Sequence, residues 1–242
     1  GNRFKLEKTG LAGRLSEINR AAARLSLEAA SGKALVFASV GGTGEFMEPL
    51  GVVSEQQMVD CYAEQISALA EEGAHGVCIE TFTDLNEAMA ALRAAKQCGR
   101  LATVVSLTYD KGAAGYATMM GVRPEKAAQE LDAAGADIIG ANCGAGMENM
   151  IEIIRQLRAA TRRPLWAKPN AGLPQLVDGR TVFRETPEQM SARFDELAKA
   201  GARFIGGCCG TTPDHIRRFA AAAKAFVATN AALLAGDDLK TE

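Results

Sequence analysis

Short apolar runs alternate with helix-period segments along almost the whole chain, and this alternation constrains the fold more than any single residue does. Residues 34–40, 75–80, 101–108, 137–142, 164–169 and 203–207 are apolar runs of strand length, each bounded by glycine, proline or polar residues. Segments with helical spacing follow them at 54–72, 84–97, 123–134, 147–160 and 187–200, and a last helix opens at Pro213 behind a Thr212 cap. One more helix, 11–30, precedes the first run, and residues 1–10 read as a loop. Strict strand–helix alternation predicts an α/β fold with a parallel sheet and helices outside it. The stretches 109–121 and 170–186 read as long loops, and 1–235 as one domain with a polar tail at 236–242.

Six strands suit an open sheet, whereas a closed (β/α)8 TIM-type barrel needs eight. The position of the unusual residues decides between them. Glu80, Cys143, Asn170 and the Cys208-Cys209 pair all fall at the C-terminal ends of runs, on four different strands. In a barrel these ends converge on one mouth. The reading is therefore a barrel of which this chain carries six strands.

Cys208 and Cys209 sit in Gly206-Gly207-Cys208-Cys209-Gly210-Thr211-Thr212, and Cys143 lies in Asn142-Cys143-Gly144. Neighbouring strand residues point to opposite faces, so two adjacent sulfurs reach one target only where the backbone bends. The flanking glycines are expected to supply that bend. Cys143, Cys208 and Cys209 together make a candidate metal site. Three soft thiolates favour zinc, and three protein ligands leave a fourth position open. A centre with three thiolates on a divalent ion carries a formal charge of −1. It makes hydroxide poorly but keeps a further thiolate nucleophilic, which points to thiol alkylation. The alternative is that the three are buried small hydrophobes, in a barrel whose Gly210–Thr212 turn holds phosphate. Cys61, Cys78 and Cys98 take the buried reading. His75 and His215 read as rim or cap residues, and Gly41–Gly44 as a tight turn.

The motifs Gly140-Ala141-Asn142-Cys143-Gly144 and Gly206-Gly207-Cys208-Cys209-Gly210-Thr211-Thr212-Pro213 resemble the two cysteine motifs of the homocysteine S-methyltransferase family. Glu80-Thr81, Asp84 and Glu87-Ala88, together with Lys168-Pro169-Asn170-Ala171-Gly172, match as well. The resemblance covers residues 2–225. It implies a (β/α)8 barrel with one catalytic zinc on Cys143, Cys208 and Cys209, and methyl transfer to homocysteine giving methionine. It implies that Glu80 binds the substrate ammonium group. Asn142 is expected to bind substrate or orient the ligands, and the Gly210–Thr212 turn to hold the substrate carboxylate. Set against the family, the chain lacks the first two strands and the helix between them. Either the chain is a truncation or another polypeptide, a partner chain or an oligomer copy, supplies the piece, and an open barrel exposes two unpaired strand edges, an association hazard. A second reading follows from this: a non-catalytic, auxiliary zinc-binding barrel subunit.

The methyl donor is not legible: methylcobalamin on a separate corrinoid protein, betaine and S-methylmethionine all remain open. A net charge of −2 with no basic stripe argues against nucleic acid. No membrane span or leader is visible, and six cysteines in 242 residues suit reduced thiols in the cytoplasm.

Overall fold

The structure is a computed structural model and describes residues 1–99, 101–144 and 146–230. The expected tail at 236–242 lies outside the described residues. The elements run in the order α1 (Arg3–Glu7), a 3-10 turn (Ala12–Arg14), α2 (Leu15–Ala30), β1 (Phe37–Val40), α3 (Glu55–Glu71), β2 (Gly76–Phe82), α4 (Leu85–Gln97) and β3 (Ala102–Leu107). The hairpin β4 (Asp110–Gly112) and β5 (Gly115–Ala117) comes next, then α5 (Pro124–Ala133), β6 (Ile138–Cys143), α6 (Met147–Ala160) and β7 (Leu165–Pro169). A second hairpin, β8 (Gln175–Val177) and β9 (Arg180–Val182), leads to α7 (Pro187–Ala192), α8 (Phe194–Lys199), β10 (Ala202–Ile205) and α9 (Pro213–Thr229).

The six anticipated strands form one parallel sheet in the order β1-β2-β3-β6-β7-β10. Four details differ from the sequence reading. Residues 1–10 are not all loop, because Asn2 caps a short helix by accepting from the Lys5 amide at 3.1 Å. The first strand begins only at Phe37. Each long loop folds back as a hairpin. The helix expected at 187–200 breaks at Arg193, whose φ of −100° and ψ of 8° leave helical geometry.

The sheet is rolled rather than flat, and side-chain contacts prove it. Strands lie about 4.8 Å apart, so β2 and β7, three positions apart in the sheet, would stand about 14 Å apart if it were flat. Lys168 on β7 nevertheless places Nζ 2.7 Å from Glu80 Oε2 on β2. The rings of Phe37 on β1 and Trp166 on β7 likewise approach to 6.1 Å between centroids. Closure is not complete among the described residues: β1 and β10 each pair with one neighbour. Beside β10 lies an apolar groove of about 470 Å³ lined by Trp166, Phe204, Phe219, Phe226 and Val227 among others.

Strand alternation sorts the core into two layers. Val77, Ile79, Val105, Leu107, Ile139 and Leu165 join the main cluster together with residues of the helices. Cys78, Val104 and Ile138 form a separate cluster with Phe37 and Trp166 inside the roll. Two residues on from this inner layer, or four for Asn142, the same strand face carries Ser39, Glu80, Ser106, Asn142 and Lys168. The lumen therefore turns from apolar to polar toward the strand C-terminal ends.

Glu87, in the first turn of α4, ties the turn after β1 to this end of the sheet. Its Oε1 accepts from Thr43 N at 2.7 Å, Thr43 Oγ1 at 2.6 Å and Tyr62 Oη at 2.8 Å. All three residues are buried. Burial first, and then the Glu87 charge, push the Tyr62 hydroxyl far up, so it stays a donor. Glu87→Ala strands these buried donors and should cost about 3 kcal/mol of stability, read as a lower urea midpoint at unchanged slope. Glu87→Gln, which keeps an acceptor oxygen, should lose less.

Candidate metal centre at the strand ends

Cys143 ends β6, where the chain leaves the ladder in an unusual way. Its φ is +62° and that of Gly144 is +70°. A left-handed conformation is uncommon for a residue with a side chain, and here it turns the Cys143 sulfur into the mouth. Thr81 on β2 is also left-handed, with φ +65°, at a register shift between Glu80 and Phe82. A β-branched residue there is strained by about 1–3 kcal/mol, and the surroundings must hold it in place.

Asn142 does the holding. It is 1% exposed. Its Oδ1 accepts from Thr81 N at 3.0 Å and from Ser106 Oγ at 2.8 Å, and its Nδ2 donates to Thr81 Oγ1 at 2.7 Å. The same amide nitrogen lies 3.5 Å from Cys143 Sγ and 3.9 Å from Cys208 Sγ. One buried amide thus links the strained bend beside Glu80 to two of the three sulfurs. Its carbonyl oxygen is occupied by protein donors, so its influence on anything bound at the mouth passes through Thr81 and the sulfurs.

Cys208 and Cys209 lie beyond the last residue of β10, yet the parallel ladder continues beneath them. Gly206 N donates to Ala167 O, Cys208 N to Pro169 O and Ala171 N to Cys209 O, each at 2.9 Å. Asn170 supplies the next rung, with Oδ1 accepting from Cys209 N at 3.0 Å and Nδ2 donating to Gly144 O at 2.8 Å. It therefore joins the two cysteine turns. Of the glycines expected to bend here, only Gly210 takes a positive φ, +80°. Gly207 is required for space instead, since a Cβ would lie 2.5 Å from Thr211 Oγ1.

The three sulfurs lie within 4.8 Å of one another, and Cys143 and Cys208 are 3.0 Å apart. Metal–sulfur bonds of about 2.3 Å in a tetrahedron place sulfurs about 3.8 Å apart, so the Cys143–Cys208 pair, at 3.0 Å, must spread by about 0.8 Å to hold an ion. The donor set fits a soft divalent ion. Without one, the hydrogen bond between the two thiols pushes Cys143 up and Cys208 down, and Asn142 and Lys168 add to the second shift.

Glu80 points into the lumen with both oxygens engaged, Oε1 by Ser39 Oγ at 2.7 Å and Oε2 by Lys168 Nζ at 2.7 Å. Burial pushes the Lys168 ammonium down, but the bond to Glu80 and its charge outweigh this and the net shift is up. The anion cradle expected at Gly210–Thr212 is largely filled by the protein itself. Thr211 N donates to Cys208 O at 3.2 Å and Thr212 N to His215 Nδ1 at 3.1 Å. His215 completes a capping box for α9, and His75 Nδ1 accepts from Val36 N at 3.0 Å at the opposite end of β2. Cys61 is buried and Cys98 half-buried, and Cys78 is buried in the lumen with its Sγ 3.5 Å from Glu80 Oε2.

Lys168 and Glu185 join the site without a role assigned from the sequence. Strand parity with Trp166 was the available signal for Lys168. Glu185 lay inside a stretch read as loop; its Oε2 accepts from Met147 N at 3.3 Å at the start of α6, and burial pushes its carboxyl up.

A family model described as Homocysteine S-methyltransferase matches residues 1–223. The chain belongs to the homocysteine S-methyltransferase family. Among its relatives, methionine synthase of Mycobacterium leprae is 34% identical over 187 residues, which is 75% of this chain and 15% of that protein. Betaine–homocysteine S-methyltransferase 1 of Danio rerio is 30% identical over 234 residues, 89% of this chain and 55% of that one. The chain thus spans well under two thirds of the length of either relative. The homocysteine methyltransferase MmuM of Escherichia coli shares the fold. Its metallated form gives a TM-score of 0.74 at 21% identity, covering 91% of this chain and 75% of that one. Its apo form gives 0.63 at 24% identity, covering 89% and 73%.

In this family member Asn142 is a buried amide with its Nδ2 within 3.9 Å of two candidate ligand sulfurs. Asn142→Ala should weaken metal binding about 10- to 100-fold, measured by competition with a chromogenic chelator. An unchanged affinity would show that the cysteines keep their places without it.

Proposed function

We propose that the chain binds zinc through Cys143, Cys208 and Cys209 and transfers a methyl group to the thiol of homocysteine, forming methionine. The observation that carries this reading is the meeting of three cysteine sulfurs from two strand ends within 4.8 Å at one mouth. Zinc held there supplies one thing: it lowers the pKa of an incoming thiol and keeps that sulfur nucleophilic. The chain's own residues do the rest. Glu80 takes the substrate ammonium group inside the lumen. Asn142 and Asn170 fix the sulfur-bearing turns, so that the open side of the cluster faces the substrate. The methyl group passes to the substrate sulfur, and the donor keeps the electron pair of the broken bond.

The donor comes from outside the described residues. Methylcobalamin on a corrinoid protein, betaine and S-methylmethionine each suit a mouth with one open side. The relatives are of two kinds, methionine synthase and a betaine–homocysteine methyltransferase. All six cysteines are free. This supports a reducing, cytoplasmic setting, where thiols stay available. Among the described residues no helix is long and apolar enough to cross a membrane.

Zinc X-ray absorption on the reduced protein should show three sulfurs and one lighter ligand, rising to four sulfurs when homocysteine is added. A sulfur count that does not rise would sink the proposed thiol binding. Cys208→Ser should lose both tight zinc binding and methyl transfer, and a variant retaining full activity would remove Cys208 from the ligand set.

A further inference from the structure

Glu80 does not face the lumen alone. Lys168 reaches it from across the roll, and the pair is largely buried, with side chains 22% and 15% exposed. The lysine stem is packed in place. Its Nζ lies 5.9 Å from the Trp166 ring centroid, and a Cβ on Gly206 would lie 3.4 Å from its Cγ. A buried ion pair adds little net stability, because desolvation offsets the attraction. Its place in the polar part of the lumen, beside the mouth, therefore suggests a use beyond folding.

An α-amino acid carries an ammonium and a carboxylate on one carbon. The charge complement of such a head is a carboxylate beside an ammonium, which is what Glu80 and Lys168 present. Charge balance gives the same answer. Three thiolates on a divalent ion carry −1, and Glu80 adds another negative charge. These two negative charges repel a substrate carboxylate entering this mouth, and a cation offsets them. Two of the three amides in the Gly210–Thr212 turn, those of Thr211 and Thr212, are already bonded within the protein.

We infer that Lys168 is a specificity-determining residue: it holds Glu80 in the empty site, yields that carboxylate to the substrate ammonium, and takes the substrate α-carboxylate in exchange. The inference rests on the reading of Glu80 and the three cysteines given above. Specificity then belongs to the pair, which reads both charges of one amino-acid head.

Titration calorimetry on the reduced, zinc-loaded protein separates these readings with three thiols. They are homocysteine, aminopropanethiol (which lacks the carboxylate) and mercaptobutyrate (which lacks the ammonium). The wild-type protein should prefer homocysteine to aminopropanethiol by about 10- to 100-fold, the range of a charge-assisted hydrogen bond. Lys168→Met should bring the two to within about twofold and weaken mercaptobutyrate by a similar factor. Aminopropanethiol should bind this variant as well as before or better, since nothing competes for Glu80. Lys168→Arg should keep most of the preference. A folded Lys168→Met protein with the full preference overturns the inference. So does a wild-type protein that binds homocysteine and aminopropanethiol equally, a result that needs no variant. Failure of the underlying reading looks different: none of the three thiols then binds the wild-type protein.

Discussion

The mouth of this protein depends on a ladder that outlasts its strand. β10 ends at Ile205, but its parallel hydrogen bonds to the β7 side continue, with Cys208 N donating to Pro169 O and Cys209 O accepting from Ala171 N. Pro169 in turn lies in register with Cys143 on β6. The consecutive cysteines are therefore fixed against β7 at the level where Cys143 leaves its own ladder. An ordinary strand would send neighbouring side chains to opposite faces. Here the backbone has already left β10 geometry while still being paired, so both sulfurs join the Cys143 sulfur. The amides of Gly206, Cys208 and Cys209 along this path all find partners, and Asn170 provides one of them with its side chain.

The rolled sheet supplies the second half of the site. In a flat sheet the Ser39–Glu80–Lys168 group could not exist, because β2 and β7 would stand too far apart for a lysine to bridge to a glutamate at bonding distance. An aromatic layer of Phe37, Trp166 and Phe204 lies below it, with Trp166 5.6 Å from Phe204 and 6.1 Å from Phe37 between centroids and Phe204 exposed on the β10 side. The charged pair thus rests on an apolar floor and faces the sulfurs' end of the lumen.

Much of this was legible in the residues. The alternation of apolar runs and helical segments gives the parallel sheet, because buried parallel strands and amphipathic helices leave distinct periods. The grouping of Cys143, Cys208 and Cys209 was legible because all three end runs flanked by glycine. The hairpins were not, since three-residue polar strands such as Asp110–Gly112 and Arg180–Val182 leave no apolar pattern. The Gly206-Gly207-Cys208 sequence suggested glycine conformations, whereas the fold uses the missing Cβ of Gly207 and a left-handed Cys143. Lys168 was visible as a residue on the inner face, but its partner was not. Which inner-face residues meet across a lumen depends on curvature, and curvature comes from packing of the whole sheet rather than from any local run.

Asn142 has one oxygen shared by Thr81 and Ser106 and one nitrogen shared by Thr81 and two sulfurs. Thr81 is the residue next to Glu80, so the amide spans both ends of the cavity as a single strut. A coupling carried by this amide would act equally in both directions, because linkage between two sites is reciprocal. The mouth would then act as one jaw with two contact points. A guest that engages both gains more than two fragments that engage one each.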